Sequence, residues 1–317
     1  MPPHRSASEE WPALEYSEWE PTCTTLHLWI QIVGKARLAQ TPWINHSWHA
    51  TFYLTARGLT TSTIPYGRRT FQVDFDVLDD ALRIATSEGR VAQLALAPAS
   101  IADFHARFRA ALAELDLEIE MHDRPNEMPI AVPFAEDTAK RPYDGEAVRR
   151  FHRALLHAER VFVHFRSGFL GKVSPVHLFW GGLDLTVTRF SGRRAPRHPG
   201  GARNLPDAVN VEAYSHEVSS AGFWPGGAGA DDATFYSYAY PEPKGFRTAA
   251  VRPGAATFDE KLGLFLLPYA SVRTAADPDA LLLEFLQSTY EAAADRARWD
   301  RAELECPFGE PGVPRMV

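Results

Sequence analysis

The sequence predicts an α+β protein of antiparallel sheets with flanking helices, arranged as two similar halves about a pseudo-twofold axis. Three observations carry this. Segments between residues 26 and 95 alternate apolar and polar side chains with a period of two, as half-buried strands do. Segments near residues 100 and 146 repeat apolar residues at helical spacing instead. The order of strand-like and helix-like segments then recurs after residue 176.

Residues 26 to 39, LHLWIQIVGKARLA, read as the opening strand, with Leu26, Leu28, Ile30 and Ile32 on one side and His27, Trp29 and Gln31 on the other. Gly34 within it marks a bulge or a close approach of another group. WHATFYLTARG alternates Trp48, Ala50, Phe52 and Leu54 with polar neighbours and predicts a second strand. TFQVDFDVL follows with the same period, LDDA supplies a turn, and LRIATSEG and RVAQLALAP complete a meander. SIADFHARFRAALAEL is a helix: Ser100 with Asp103 resembles a capping box, and Ile101, Phe104, Phe108, Leu112 and Leu115 form its apolar stripe, with His105 facing away. Residues 121 to 145 are rich in proline and charge and read as a long irregular connection. A helix begins near Glu146 and buries Val148, Phe151, Leu155 and Phe162.

In the second half VHLFWGGLDLTVTRF echoes residues 26 to 39, SHEVSSAGFW stands where NHSWHATFY stood, and TFYSYAY stands where TFQVDFD stood. KLGLFLLPY matches RVAQLALAP, and a helix follows with Asp277 as N-cap and Pro278 in its first turn. The expected divisions are an N-terminal extension (1–20), a first meander-plus-helix half (21–120), a connector with a linking helix (121–170), a second half (171–299) and a C-terminal tail (300–317). On this correspondence His27 and His177 are symmetry mates, and His46 or His49 matches His216. In YSHEVSSAGFWPGG the strand-like YSHEV carries His216 and Glu217, SSAG breaks the alternation, and FW with PGG folds an aromatic lip over whatever the dyad faces.

Composition narrows the function classes. At 45% hydrophobic residues the 317-residue chain is globular, with a sizeable core. A net charge of −7 gives no basic footprint for nucleic acid. No apolar run reaches the roughly 20 residues of a membrane span, and the N-terminus has no apolar signal-peptide core, so a cytoplasmic protein without membrane partner is expected. Cys23 and Cys306 lie near opposite ends, form no C-x-x-C and indicate neither disulfide framework nor thiolate metal site.

Aromatic rings and imidazoles cluster in both halves. Trp29, Trp43, Trp48, Trp180, Phe223 and Trp224 lie within a few residues of His27, His46, His49, His177 and His216. Apolar walls with few polar handles are the usual design of a small-ligand pocket, expected here between the halves. His216 is the acid/base candidate and Glu217 its orienter, with His27, His46, His49 and His177 as pocket histidines. Lys35, Arg37 and Arg57 would favour an anionic ligand. A metal-dependent hydrolase or oxygenase-like enzyme is the alternative, with His46, His49, His216 and Glu217 as ligands, although no H-E-x-x-H spacing is present. No cofactor is identified: GFWPGGAGA lacks a P-loop lysine, and no G-x-S-x-G elbow serves Ser215, Ser219 or Ser220. A protein-binding module without chemistry is the further alternative, in which the tryptophans simply pack.

The motifs WPALEYSEW, TLHLWIQIVGKARL, TPWINHSWH, ARGLTTSTIPYG, PVHLFWGGLDLTVTRFSGRRAP, YSHEVSSAGFWPGG and YAYPEP occur in this order. In them the chain resembles a bacterial domain-of-unknown-function family from about Trp11 to Trp299. The resemblance implies a bacterial cytosolic protein and brings no activity, cofactor or partner with it.

Overall fold

A computed structural model describes residues 10–227 and 230–315 of the chain. His4, and Ala228 and Gly229 of the glycine-rich loop, lie outside the described residues. The architecture is α+β, with antiparallel sheets and helices packed against them.

The opening element is a helix, not a strand. Residues 26 to 39 form the body of α1 (Tyr16–Gln40), and Leu26 and every residue from Leu28 through Arg37 are buried. A helix enclosed on all sides has no solvated face, so its sequence lacks an amphipathic period. Apolar runs of this kind separate into helix or strand by length, and fourteen residues exceed an ordinary strand. Gly34 is a point of close approach: a methyl group there would sit 2.7 Å from Cγ of the buried Trp180 ring.

A 3₁₀ turn over Asn45–Ser47 leads into β1 (Tyr53–Thr55), much shorter than the expected strand over 48 to 57. β2 (Gly58–Tyr66), a strand not expected from the sequence, β3 (Arg69–Asp76), β4 (Ala81–Thr86) and β5 (Val91–Ala95) pair in sequence order, the last three as in the anticipated meander. In β3 the alternation is realised directly, with Phe71, Val73 and Phe75 buried and their neighbours half-buried. A two-residue strand β6 (Ala99–Ser100) precedes α2 (Ile101–Glu114), whose N-terminus is capped by Ser100 Oγ accepting from the Asp103 amide at 3.0 Å. His105 does not face solvent; it is buried, 5.9 Å from the Phe134 ring. Helices α1 and α2 lie on the first sheet, where Trp29 stacks on Phe104 at 4.8 Å.

After β7 (Lys140–Arg141), α3 (Gly145–Ser167) starts at Asp144, whose carboxylate accepts from the Glu146 and Ala147 amides. The second sheet contains β8 (His177–Phe179), β9 (Asp184–Arg194), β10 (His216–Trp224), β11 (Thr234–Tyr240), β12 (Thr257–Asp259) and β13 (Leu264–Pro268), in the spatial order β12-β13-β11-β10-β9-β8. A short α4 (Asp207–Ala213) connects β9 to β10, and α5 (Tyr269–Arg273), α6 (Pro278–Arg296) and α7 (Arg301–Leu304) complete the chain. Asp277 caps α6 as expected, accepting from the Ala280 amide at 3.0 Å. β10 runs unbroken through SSAG, and its irregularity lies between His216 and Val218. Gly222 is tolerated within it because the Tyr236 side chain lies across that position, where a methyl group would be 2.4 Å from Tyr236 Cζ.

The element correspondence behind the two halves breaks at its first member: α1 is a helix, whereas residues 177 to 194 form the β8–β9 hairpin. The sheets also differ in strand number and order. The ends are integrated rather than appended. Trp11 is buried, 5.2 Å from the His157 ring, and Glu305 bridges to Phe169.

The second sheet has two unlike faces. Leu185, Val187 and Phe235 are buried on the side packed by α3 and α6, where the Arg189 guanidinium lies 3.5 Å from the Phe165 ring centre. Asp184, Thr186 and Thr188 of β9, Val218 and Ser220 of β10, and Tyr236 and Tyr238 of β11 occupy the alternate positions on the opposite face. An antiparallel bridge between Phe52 and Leu178 ties the first sheet's leading edge to this one.

Gly34→Ala tests the close approach at α1. In an unobstructed helix this change stabilises by about 1 kcal/mol. Overpacking against the Trp180 ring costs about 1–3 kcal/mol. Urea denaturation should therefore show a net loss of stability; a gain would contradict the packing at Gly34 and Trp180.

Candidate functional site

A cavity of about 780 Å³ opens over the second face of this sheet. That volume suits a small ligand. Its floor carries Asp184, Thr186, Thr188, Ser220, Tyr236 and Tyr238; Lys35 and Leu38 of α1 with Asn126 and Glu127 form one wall, and α4 contributes Val209, Asn210 and Ala213. Trp48, Phe179, Trp180 and Phe190 supply the apolar surface.

Two carboxyl groups converge on the turn Gly181–Gly182. A methyl group at Gly181 would lie 2.0 Å from Glu127 Oε1; one at Gly182 would lie 2.8 Å from Asp184 Oδ1 and 3.9 Å from Glu127 Oε2. The turn admits both acids only because it has no side chains. Glu127 is set by α1: the Gln31 carboxamide clamps the preceding residue, accepting from the Asn126 amide at 2.7 Å and donating to the Asn126 carbonyl at 2.9 Å. The Tyr236 hydroxyl donates to Asp184 Oδ2.

Burial, and then the neighbouring Asp184, push the Glu127 carboxyl up to about 7. Burial pushes Asp184 up to about 6, against the lowering effect of the Tyr236 hydrogen bond. Glu127 is exposed where it lines the cavity, although crowded by neighbouring protein atoms, and Asp184 is half-buried. On a rise in pH, Asp184 ionises before Glu127, and its charge helps to hold the proton on Glu127.

Backbone strain concentrates at the same place. His46 (φ 59°), Ser47 (58°), Glu127 (59°) and Asn204 (51°), all lining the cavity, occupy the left-handed region, as does the adjoining Leu183 (54°). Such conformations cost energy and cluster at functional sites.

The floor is knitted by hydroxyls. Ser220 Oγ and Thr188 Oγ1 are 2.8 Å apart, and the Tyr214 and Tyr238 hydroxyls are 2.8 Å apart. Lys35 is buried, donates to Asn126 Oδ1, and holds its Nζ 5.3 Å from the Trp180 ring centre. Burial pulls its amine down to about 8.

Of the residues singled out from sequence, Lys35, His46 and Trp180 line the cavity, together with Trp43 and Trp48, whereas Arg37 and Arg57 do not. His46 donates from Nδ1 to the Ala213 carbonyl at 2.7 Å, which leaves Nε2 to accept from Lys172 Nζ at 2.6 Å. This histidine is therefore a neutral clasp between the loop and α4. His27 lies beneath the site: its Nε2 donates to the Trp180 and Gly181 carbonyls at 2.8 and 3.0 Å, fixing the turn that receives the carboxyls. His177 is buried beside Phe179 and Trp48, and His49 accepts at Nδ1 from the Ile44 amide at 3.1 Å.

The structure parts the expected His216–Glu217 dyad. Glu217 pairs with Arg193 at 2.6 Å and accepts from Ser191 Oγ at 2.8 Å, whereas the His216 ring lies 6.2 Å from that of His46. Successive residues of a strand point to opposite faces, so neighbours in sequence do not meet. Nor do His46, His49, His216 and Glu217 gather: among the described residues no group of three or more His, Cys, Asp or Glu side chains is placed to hold a metal ion. Trp29 and Phe223 are core residues, Trp224 stacks on Tyr236 at 4.3 Å without lining the cavity, and Arg57 pairs with Asp76 and Asp79 on the first sheet.

Glu127, Asp184, Asn126 and the tyrosines of β11 were not among the sequence candidates. A signal existed for Asp184, Thr186 and Thr188, and for Tyr236 and Tyr238: each set occupies alternate positions of a strand-like segment. None existed for Glu127, which sits in an irregular connection.

The proton affinities predict opposing pH effects on stability. A carboxyl whose folded value, about 7, exceeds its ordinary 4.5 favours folding less as pH rises between those values. Glu127→Gln should be more stable than the unaltered protein at pH 8, and the advantage should vanish near pH 4. Chemical denaturation at the two pH values measures this; equal stability at pH 8 would contradict it. His177, pushed down by burial to about 3, acts oppositely and withdraws stability as pH falls below 6.5. His177→Phe should therefore flatten the acid limb of the stability profile over that range, and an unchanged acid limb would count against the buried neutral imidazole.

No curated protein and no solved structure matches this chain significantly. A family model matches residues 11–306, which covers the whole of the cavity and both sheets. The chain belongs to DUF5996, a family of unknown function.

Proposed function

We propose that the protein is an enzyme acting on a small molecule by proton transfer, with Glu127 as the acid/base group and Asp184, hydrogen-bonded by Tyr236, as its partner. One observation carries this reading: inside a ligand-sized cavity two carboxyls share one backbone turn, and among the described residues neither is paired with a cation. Holding two acids of raised proton affinity side by side without a counter-charge costs stability above neutral pH, a cost that an acid/base role explains. A carboxyl near 7 suits both taking and giving a proton at neutral pH. Asp184 then accommodates the charge that develops as the proton moves, and the Tyr236 hydroxyl fixes its orientation.

The walls define the ligand's character. Trp48, Phe179, Trp180 and Phe190 favour an apolar or ring-bearing portion, while the Thr188–Ser220 and Tyr214–Tyr238 hydroxyls offer hydrogen bonds to a polar portion. The ligand is thus a compact molecule of mixed polarity.

The test is a thermal-shift screen with a panel of small carbonyl, hydroxyl and carboxylate compounds, followed by NMR of any binder incubated with the protein. Binders should raise Tm in the unaltered protein and not in Ser220→Trp, which fills the floor. Glu127→Gln should bind the same compounds and convert or deuterium-exchange them at least about 100-fold more slowly, the scale of a lost general acid/base. Binding that survives in Ser220→Trp, or turnover that survives in Glu127→Gln, would contradict the reading.

A further inference from the structure

We infer that Lys35 is a nucleophile that forms an imine with a carbonyl-bearing ligand in this cavity. The inference rests on the proposed small-molecule site and adds a covalent residue and a substrate class, aldehydes and ketones. Of the five lysines, Lys140, Lys172, Lys244 and Lys261 are exposed and Lys35 alone is buried. It is 4% exposed and lines the cavity. A buried lysine is ordinarily paired with a carboxylate. Among the described residues Lys35 has no such partner; its hydrogen bond goes to the neutral Asn126 Oδ1, and the face of Trp180 lies beneath it.

That setting fits imine chemistry at each stage. A desolvated amine with no carboxylate in hydrogen-bond contact gives up its proton readily, and burial, partly offset by the more distant Asp123 carboxylate, holds it near 8, so a substantial fraction is free base at neutral pH. The nitrogen lone pair adds to the carbonyl carbon, and a proton passes from nitrogen to the new alkoxide, giving a carbinolamine. Protonation of its hydroxyl, for which the residue next to Asn126 is Glu127, breaks the carbon–oxygen bond, releases water and forms the C=N bond. One carbonyl and one amine become one imine and one water, with no oxidant or reductant. The Trp180 face stabilises the cationic imine. A protonated imine acidifies the adjacent C–H, which gives the Glu127–Asp184 pair a proton to move.

The experiment is reductive trapping. The full-length protein is incubated at pH 7.5 with pyruvate or benzaldehyde and cyanoborohydride, and the modified peptides are quantified by mass spectrometry. A lysine held near 8 rather than at 10.5 carries about 200-fold more free amine at pH 7.5, partly offset by weaker nucleophilicity. The peptide carrying Lys35 should therefore be labelled about tenfold or more faster than those carrying the four exposed lysines, and Ser220→Trp should abolish the preference. Labelling of Lys35 at or below the exposed lysines, in protein whose cavity binds a compound from the screen, would overturn the inference. Equal labelling in Ser220→Trp and the unaltered protein would also overturn it, since the preference would not come from the cavity. The outcome is separable from the acid/base reading: trapping requires only the amine and an open cavity, whereas that reading fails on turnover in Glu127→Gln.

Discussion

Gly181 and Gly182 lack side chains, and the rest of the site depends on the space this leaves. A single methyl group at either would collide with a carboxyl group. His27 of α1 fixes the turn through the Trp180 and Gly181 carbonyls. Four residues on, Gln31 clamps Asn126 and so places Glu127; four further, Lys35 enters the cavity. These three positions lie on one face of α1 because i, i+4 and i+8 stack on a helix. One polar stripe on a buried helix thus supports the turn, sets the acid and presents the amine.

The second sheet supplies the complementary half by a division of labour between its faces. The face toward α3 and α6 buries apolar side chains and carries the cohesion expected of a core. The other face places an acid, hydroxyls and phenols around a void. Leaving that face open forgoes burial, and the left-handed backbone at His46, Ser47, Glu127 and Asn204 adds strain. The large core elsewhere, from Trp29 and Phe104 to Phe235 and Tyr290, is what makes such a face tolerable.

Much of this was legible in the sequence where local patterns decide the outcome. β3 follows strict alternation and β4 and β5 were also read as strands, whereas β2, buried over its first four residues and irregular between Thr60 and Thr63, was not; α2 and α6 announce themselves by Ser100 and by Asp277 with Pro278. α1 was not, because burial on every side erased its period; the spacing of four between His27, Gln31 and Lys35 was its remaining helical mark. The aromatic and histidine clusters reach the cavity through His46, Trp48 and Trp180. They missed the acids. Glu127 depends on a clamp from a residue 95 positions away, which no local pattern encodes, and the adjacency of His216 and Glu217 suggested a contact that strand geometry forbids.

The site rests on two carboxyls of raised proton affinity that converge on one turn beside the cavity. Its most direct measurement is a carbon-13 NMR titration of the side-chain carboxyls, with Glu127→Gln and Asp184→Asn assigning the resonances. Two carboxyls should titrate well above their fellows, near 7 and near 6, with the Glu127 value falling in Asp184→Asn. Two groups titrating near 4, indifferent to one another, would contradict it.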